Sequence, residues 1–212
     1  MYIHVKRILG LLLSLFALVV LSPLLLILSA IIRLTSPGPV FFRQRRVGIG
    51  KTHFMIYKFR TMRIDAPKDQ PTHLLKDPNA YITPVGRFLR RSSLDELPQL
   101  INILVGDMSF VGPRPELLLY TNAYTEEQQC IMWVRPGITD RSSIVYIAQD
   151  EIVGTENPVE NYEKYILPEK NRLRVEYAKN QSFKLDMSLF FETIGGVFGK
   201  AKKMAEEKGK KA

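Results

Sequence analysis

Apolar positions open the chain as one unbroken run. From Ile8 to Ile32 no residue carries a charge, and Lys6-Arg7 and Arg33 bound the run on either side. As a helix it extends about 37 Å, more than the roughly 30 Å hydrocarbon core of a bilayer, so it reads as a membrane segment. A cleaved signal peptide fits poorly, because the run is too long and no small-residue cleavage site precedes Arg33. Ser22-Pro23 lies inside the run. Proline removes a main-chain donor and crowds the preceding turn, so a bend is predicted there, with the Ser22 hydroxyl available to the freed carbonyl. The limbs on either side have about 14 and 9 residues, roughly 21 and 13 Å, and neither spans alone. Basic residues at both ends favour the cytoplasmic side for each. A re-entrant helix-break-helix hairpin and an ordinary kinked transmembrane helix both satisfy this pattern.

Beyond Arg33 the period shortens. Residues 36–39, Ser-Pro-Gly-Pro, read as a rigid turn, and VFFRQRRVG followed by HFMIYKFRTM reads as two strands joined at Gly48-Ile49-Gly50. Residues 64–83 carry three prolines and little periodicity, as a loop does. Helical periodicity then dominates at Gly86–Arg91, Leu94–Val105, Pro115–Trp133, Val159–Asn180 and Phe183–Lys203, with strand signal only near 138–147. The last helix suits either an anionic membrane surface or a core. The predicted class is mostly α with a small β-hairpin (α+β). Residues 1–35 form a membrane anchor, 36–200 a compact membrane-associated cytoplasmic domain and 201–212 a basic tail.

Composition narrows the classes. A 46% hydrophobic and 10% aromatic content excludes global disorder. A single cysteine, Cys130, excludes an intrachain disulfide framework, and three scattered histidines argue against a zinc site. The formal charge of +9 is unevenly spread. Residues 1–64 hold ten Lys/Arg and no acid, residues 65–199 hold 14 basic and 19 acidic side chains, and residues 200–212 hold six lysines against two glutamates. The basic ends suit anionic lipids. The aromatics near them, Phe41, Phe42, Phe54, Tyr57 and Phe59, are as easily core residues as stacking platforms, so nucleic acid is not an expected partner. Gly50-Lys51-Thr52 imitates the end of a Walker A loop, but Arg45 stands where its first glycine is required.

Chemistry concentrates in residues 87–115, RFLRRSSLDELPQLINILVGDMSFVGPRP. Leu94, Leu97, Ile101 and Leu104 mark one apolar helix face. Ser92 or Ser93 is the predicted cap, and Asp95 and Glu96 fall in the first turn, where the macrodipole keeps both carboxylates ionised. An ionised aspartate serves as a nucleophile or a metal ligand. Arg90 and Arg91 precede the pair, and two prolines around Arg114 aim its guanidinium in one direction, suited to a phosphate. Carboxylates grouped with arginines beside a membrane point to an anionic substrate bridged by magnesium.

IYKFRTM, the LDELPQL and GPRP strings, and VRPGIT resemble the signature motifs of the bacterial sugar transferases, small monotopic phosphoglycosyl transferases. The likeness extends from the Ser-Pro-broken segment to YAKNQSFKLDMSLFFETI. It implies transfer of a sugar 1-phosphate from a UDP-sugar to polyprenyl (undecaprenyl) phosphate, with release of UMP, at the cytoplasmic face of the bacterial inner membrane. By the same resemblance Asp95 is the nucleophile that forms a covalent phosphosugar intermediate, and Glu96, with Asp95, binds Mg2+. Lys58, Arg90 and Arg114 hold phosphates, Arg135 is a nucleotide-side candidate, and Ser22-Pro23 marks a re-entrant break. One departure stands out: Asp140 to Tyr146 replaces the Gly-Leu-Ala-Gln-Val run of many relatives, which bears on the nucleotide or sugar pocket. Two alternatives remain at this level, direct attack by the lipid phosphate with Asp95 only a metal ligand, and a non-catalytic membrane adaptor. The motifs fix neither the sugar, the pathway nor an oligomeric state.

Overall fold

The computed structural model describes residues 2–67, 75, 77–146 and 157–209. The apolar run becomes a single helix, α1 (Tyr2–Thr35), with Ser22-Pro23 inside it. The reason is local. Pro23 has no N–H for the Val19 carbonyl four residues back, and the Ser22 hydroxyl donates to that carbonyl at 2.7 Å, so a side chain replaces the missing rung.

One face of α1 packs on the rest of the chain along its length. Ala17, Leu18 and Leu21 meet Phe54, Ile56 and Ile103, while Leu24, Leu25, Leu28 and Ile32 meet Phe59 and Leu89. The spacing is that of one helical stripe. At the start of α1 Lys6 pairs with Asp186 at 2.6 Å, and Arg7 donates to the carbonyls of Ile103 and Leu104. On the other side Leu12, Phe16, Val19, Val20, Leu26 and Ile27 are all more than half exposed, a stripe suited to lipid and not to water.

The predicted hairpin forms from β1 (Phe41–Val47) and β2 (His53–Phe59), antiparallel with Phe42 opposite Lys58. Helix α2 (Pro84–Ser92) starts at Thr83, whose hydroxyl accepts the Gly86 N–H at 2.9 Å. It ends where Ser93 turns left-handed, φ 58°. A 3₁₀ turn, Leu94–Glu96, follows, then α3 (Gln99–Val105), stopped by Gly106 at φ 105°. The serines thus cap nothing at this start: Ser93 makes no side-chain cap and the Ser92 hydroxyl donates back to Phe88. Pro98 separates the 3₁₀ turn from α3.

Two further predictions are corrected. Residues 115–133 are not one helix but α4 (Leu118–Thr121) and a 3₁₀ segment, Glu127–Trp133. Between them Thr125 and Gln128 exchange side-chain and backbone hydrogen bonds as a capping box, which starts a new segment. The strand expected at 138–147 is only β4 (Gly137–Thr139), because Asp140 then caps α5 (Arg141–Val145). β4 pairs in parallel with β3 (Ser109–Val111), a strand the sequence pattern does not predict. Towards the C-terminus the described residues form α6 (Pro158–Asn161), a π-helical turn Tyr162–Ile166, α7 (Leu167–Asn180) and α8 (Phe183–Gly209). Pro168 explains the π turn, since it has no N–H and its ring crowds the carbonyl four residues back.

Candidate active site

Two segments distant in sequence, and the adjacent helix α2, converge on the Asp-Glu pair. Strand β2 brings Lys58, whose ammonium lies 2.7 Å from Glu96 Oε1. Its position depends on Asn102 of α3, which is fully buried. Its amide accepts from the Tyr57 N–H at 2.9 Å and donates to the Met55 carbonyl at 2.8 Å. The side chain thus stands where a neighbouring strand would, tying β2 to the helix that follows the pair.

The Gly-Pro-Arg-Pro segment brings Arg114, whose guanidinium donates to both oxygens of Glu96 and to the Ile138 carbonyl at 3.3 Å. This segment presses on β4 so closely that a Cβ on Gly137 would come within 2.2 Å of the Gly112 nitrogen. Only glycine permits that crossing. Helix α2 contributes Arg90, which donates to the Thr61 hydroxyl at 2.8 Å and whose charge acts on Asp95.

The two carboxylates differ. Burial alone would raise Glu96, but Arg114 and Lys58 overcome it and hold the carboxyl far below its usual range. Asp95 moves the other way: burial pushes it up, Lys58 opposes and the charge of Glu96 adds to the rise. The macrodipole is not the leading influence on Asp95, since a three-residue 3₁₀ turn offers too little dipole to offset desolvation. Burial lowers the Lys58 ammonium against the pull of Glu96, while Glu96 raises Arg114. Glu96 is a fixed anion gripped by two cations. Among the described residues no hydrogen bond or ion pair holds Asp95, while the charges of Lys58, Arg90 and Arg114 act on it.

Arg135 is not drawn into this group; it donates to the Gly106 carbonyl at 2.8 Å, near Arg7. Among the described residues no cluster of three or more His, Cys, Asp or Glu forms. Asp95 and Glu96 are oxygen donors of the kind magnesium takes together with substrate phosphates, and a bound ion would share Glu96 with Lys58 and Arg114, which already hold both of its oxygens. Sequence reasoning did not single out Asn102 or Arg174, and neither stands out in an apolar period; Asp140 was visible only as a departure.

The profile of the bacterial sugar transferases matches residues 1–200. The chain belongs to that family. It is 36% identical over 201 residues to an Aeromonas hydrophila UDP-N-acetylgalactosamine-undecaprenyl-phosphate N-acetylgalactosaminephosphotransferase, covering 91% of this chain and 43% of that protein. It is 39% identical to the uncharacterized sugar transferase EpsL of Bacillus subtilis, over 89% of this chain and 85% of that one. To a UDP-glucose:undecaprenyl-phosphate glucose-1-phosphate transferase of Escherichia coli it is 36% identical, over 89% of this chain and 39% of that protein. This bacterial sugar transferase therefore spans about two fifths of the Aeromonas and E. coli proteins and most of EpsL.

Proposed function

We propose that this chain transfers a sugar 1-phosphate from a UDP-sugar to undecaprenyl phosphate, giving a polyprenyl-diphosphate sugar and UMP, through a covalent intermediate on Asp95. The carrying observation is the asymmetric pair, an unengaged Asp95 carboxylate beside a Glu96 whose charge Lys58 and Arg114 fix. In the first step an Asp95 oxygen attacks the sugar-bearing phosphorus, the bond to the bridging oxygen breaks, and UMP departs with that electron pair. In the second, a phosphate oxygen of the lipid attacks the same phosphorus and Asp95 leaves as carboxylate. An anionic nucleophile meets an anionic phosphate only where cations offset the repulsion, and Lys58, Arg90 and Arg114 are those cations. Asp95 and Glu96 would hold magnesium, and the ion when bound would supply further neutralisation of the diphosphate charge.

Asp95→Asn should abolish UMP release and labelling of the protein by a sugar-phosphate donor. Wild-type protein should exchange labelled UMP into UDP-sugar without lipid acceptor. Exchange that needs the acceptor would favour direct transfer in a ternary complex.

The same reading places α1 as a re-entrant, monotopic anchor in the cytoplasmic leaflet, with anionic lipids around its basic flanks. Its support is that Lys6 and Arg7 at one end and Leu28 and Ile32 at the other pack against the same body of the protein. Single cysteines at His4 and Thr35, in a Cys130→Ala background, should both react with an impermeant maleimide from one side of sealed vesicles. Labelling from opposite sides would mean a membrane crossing.

A further inference from the structure

We propose that Arg174, on α7, is a positioning residue for the transfer: by bridging Asp140 and Glu116 it fixes the loop that aims Arg114 at Glu96. The inference rests on the reaction proposed above, in which Arg114 meets phosphate.

Arg174 touches no carboxylate of the catalytic pair. Its side chain is 1% exposed, 2.8 Å from Glu116 Oε1 and 3.5 Å from Asp140 Oδ2. Those two carboxylates flank Arg114 structurally. On one side Asp140 Oδ2 accepts the Arg114 main-chain N–H at 3.1 Å, and Asp140 Oδ1 accepts the Ser143 N–H at 2.6 Å, which anchors it to α5. On the other, Glu116 stands two residues beyond Arg114, and its carbonyl accepts the Val47 N–H from β1 at 3.1 Å.

The loop needs such an external clamp. Pro113 and Pro115 have no N–H, so Arg114 carries the one main-chain donor between Gly112 and Glu116, and Asp140 takes it. Without Arg174, Asp140 and Glu116 would be two buried anions on either side of the loop, short of a shared counter-charge. A buried arginine between two carboxylates costs desolvation that an apolar side chain would avoid. What it adds here is direction: the fork of a guanidinium sets two carboxylates at a fixed separation.

The test uses the full chain in lipid nanodiscs, with Arg174→Lys, Arg114→Lys and the double variant. Hydrogen exchange of residues 112–117 should quicken about tenfold or more in Arg174→Lys while the protein keeps a cooperative melt. UMP release should fall about 100-fold in the otherwise wild-type chain, the loss expected from misplacing a phosphate-holding group by an ångström. In the Arg114→Lys background the same change should cost less than about threefold, because its effect passes through Arg114. Unchanged exchange at 112–117, or losses that multiply across the two positions, would overturn the proposal. Should Arg174→Lys not fold, Asp140→Asn, nearly isosteric, takes its place in both measurements. If the wild type releases no UMP from any UDP-sugar, the transfer reading fails, and the exchange result still decides whether Arg174 holds the loop.

Discussion

Two buried carboxylates of this protein, Glu116 and Asp140, owe their charge to arginine. Burial would raise Glu116 and Asp140, yet both lie below the ordinary carboxylate range because Arg174 stands beside each, with Arg46 adding to Glu116. A carboxyl lowered by folding contributes stability that is complete above its unfolded value and is lost as pH falls through its folded one. The protein should therefore melt at nearly constant temperature down to about pH 4, the unfolded carboxylate range, and lose stability steeply below it. Asp140→Asn should lower the melting temperature at pH 7 and make the acid limb shallower. Thermal melts from pH 3 to 7 check both, and a wild type with no acid limb would contradict the assignment. Asp95 and Glu96, adjacent in sequence, show why such differences escape sequence reading. The residues that make their surroundings differ lie 38 positions before Glu96, at Lys58, and 18 after it, at Arg114. The motif announced the pair, but which carboxylate is gripped and which is free depends on a hairpin and a loop brought to it by the fold.

Elements whose own apolar period marks them were legible: α1, the β1–β2 hairpin, α2, α7 and α8 lie where that period predicts. Those that depend on a distant partner were not. β3 and β4 have three residues each and exist through each other, across the whole of α4 and the following 3₁₀ segment. The interruption of 115–133 did have a local signal, Thr125 followed three residues later by Gln128. Asn102 was illegible for another reason, since a polar residue in an apolar helix pattern reads as exposed, whereas this one closes the open edge of β2. Asn102→Ala leaves the Tyr57 N–H and the Met55 carbonyl without that partner. The expected cost is about 2 kcal/mol, within the range for orphaned buried polar groups. Turnover should fall further than stability alone explains, because Lys58 follows on the same strand. Denaturant unfolding and UMP release under conditions where the variant is fully folded separate the two effects.

For the molecule as a whole, the long apolar helix α1 is a part of the core and not a tether. Phe59, Leu89 and Ile103 are at most 1% exposed, and each is covered by side chains of α1. Fully burying one such side chain stabilises a fold by about 1.5–3 kcal/mol, and a whole domain is stable by only about 5–15 kcal/mol. Removing residues 1–35 would uncover all three at once, together with Phe54 and Ile56, a loss comparable with the total. The deletion also takes away Lys6, the ion-pair partner of Asp186, and Arg7, which caps the end of α3. The fragment 36–212 should accordingly fail to yield a soluble transferase. Where detergent keeps it dispersed, it should bind ANS, lack near-UV circular dichroism and melt without a cooperative transition, while the full chain in the same detergent melts sharply. The mechanism gives the same result a functional side, because α1 covers β2, α2 and α3, the elements that carry Lys58, Arg90 and the segment following Asp95 and Glu96. A fragment that is monomeric, cooperatively folded and releases UMP would show that these three elements hold their positions without α1, and that its packing serves attachment alone.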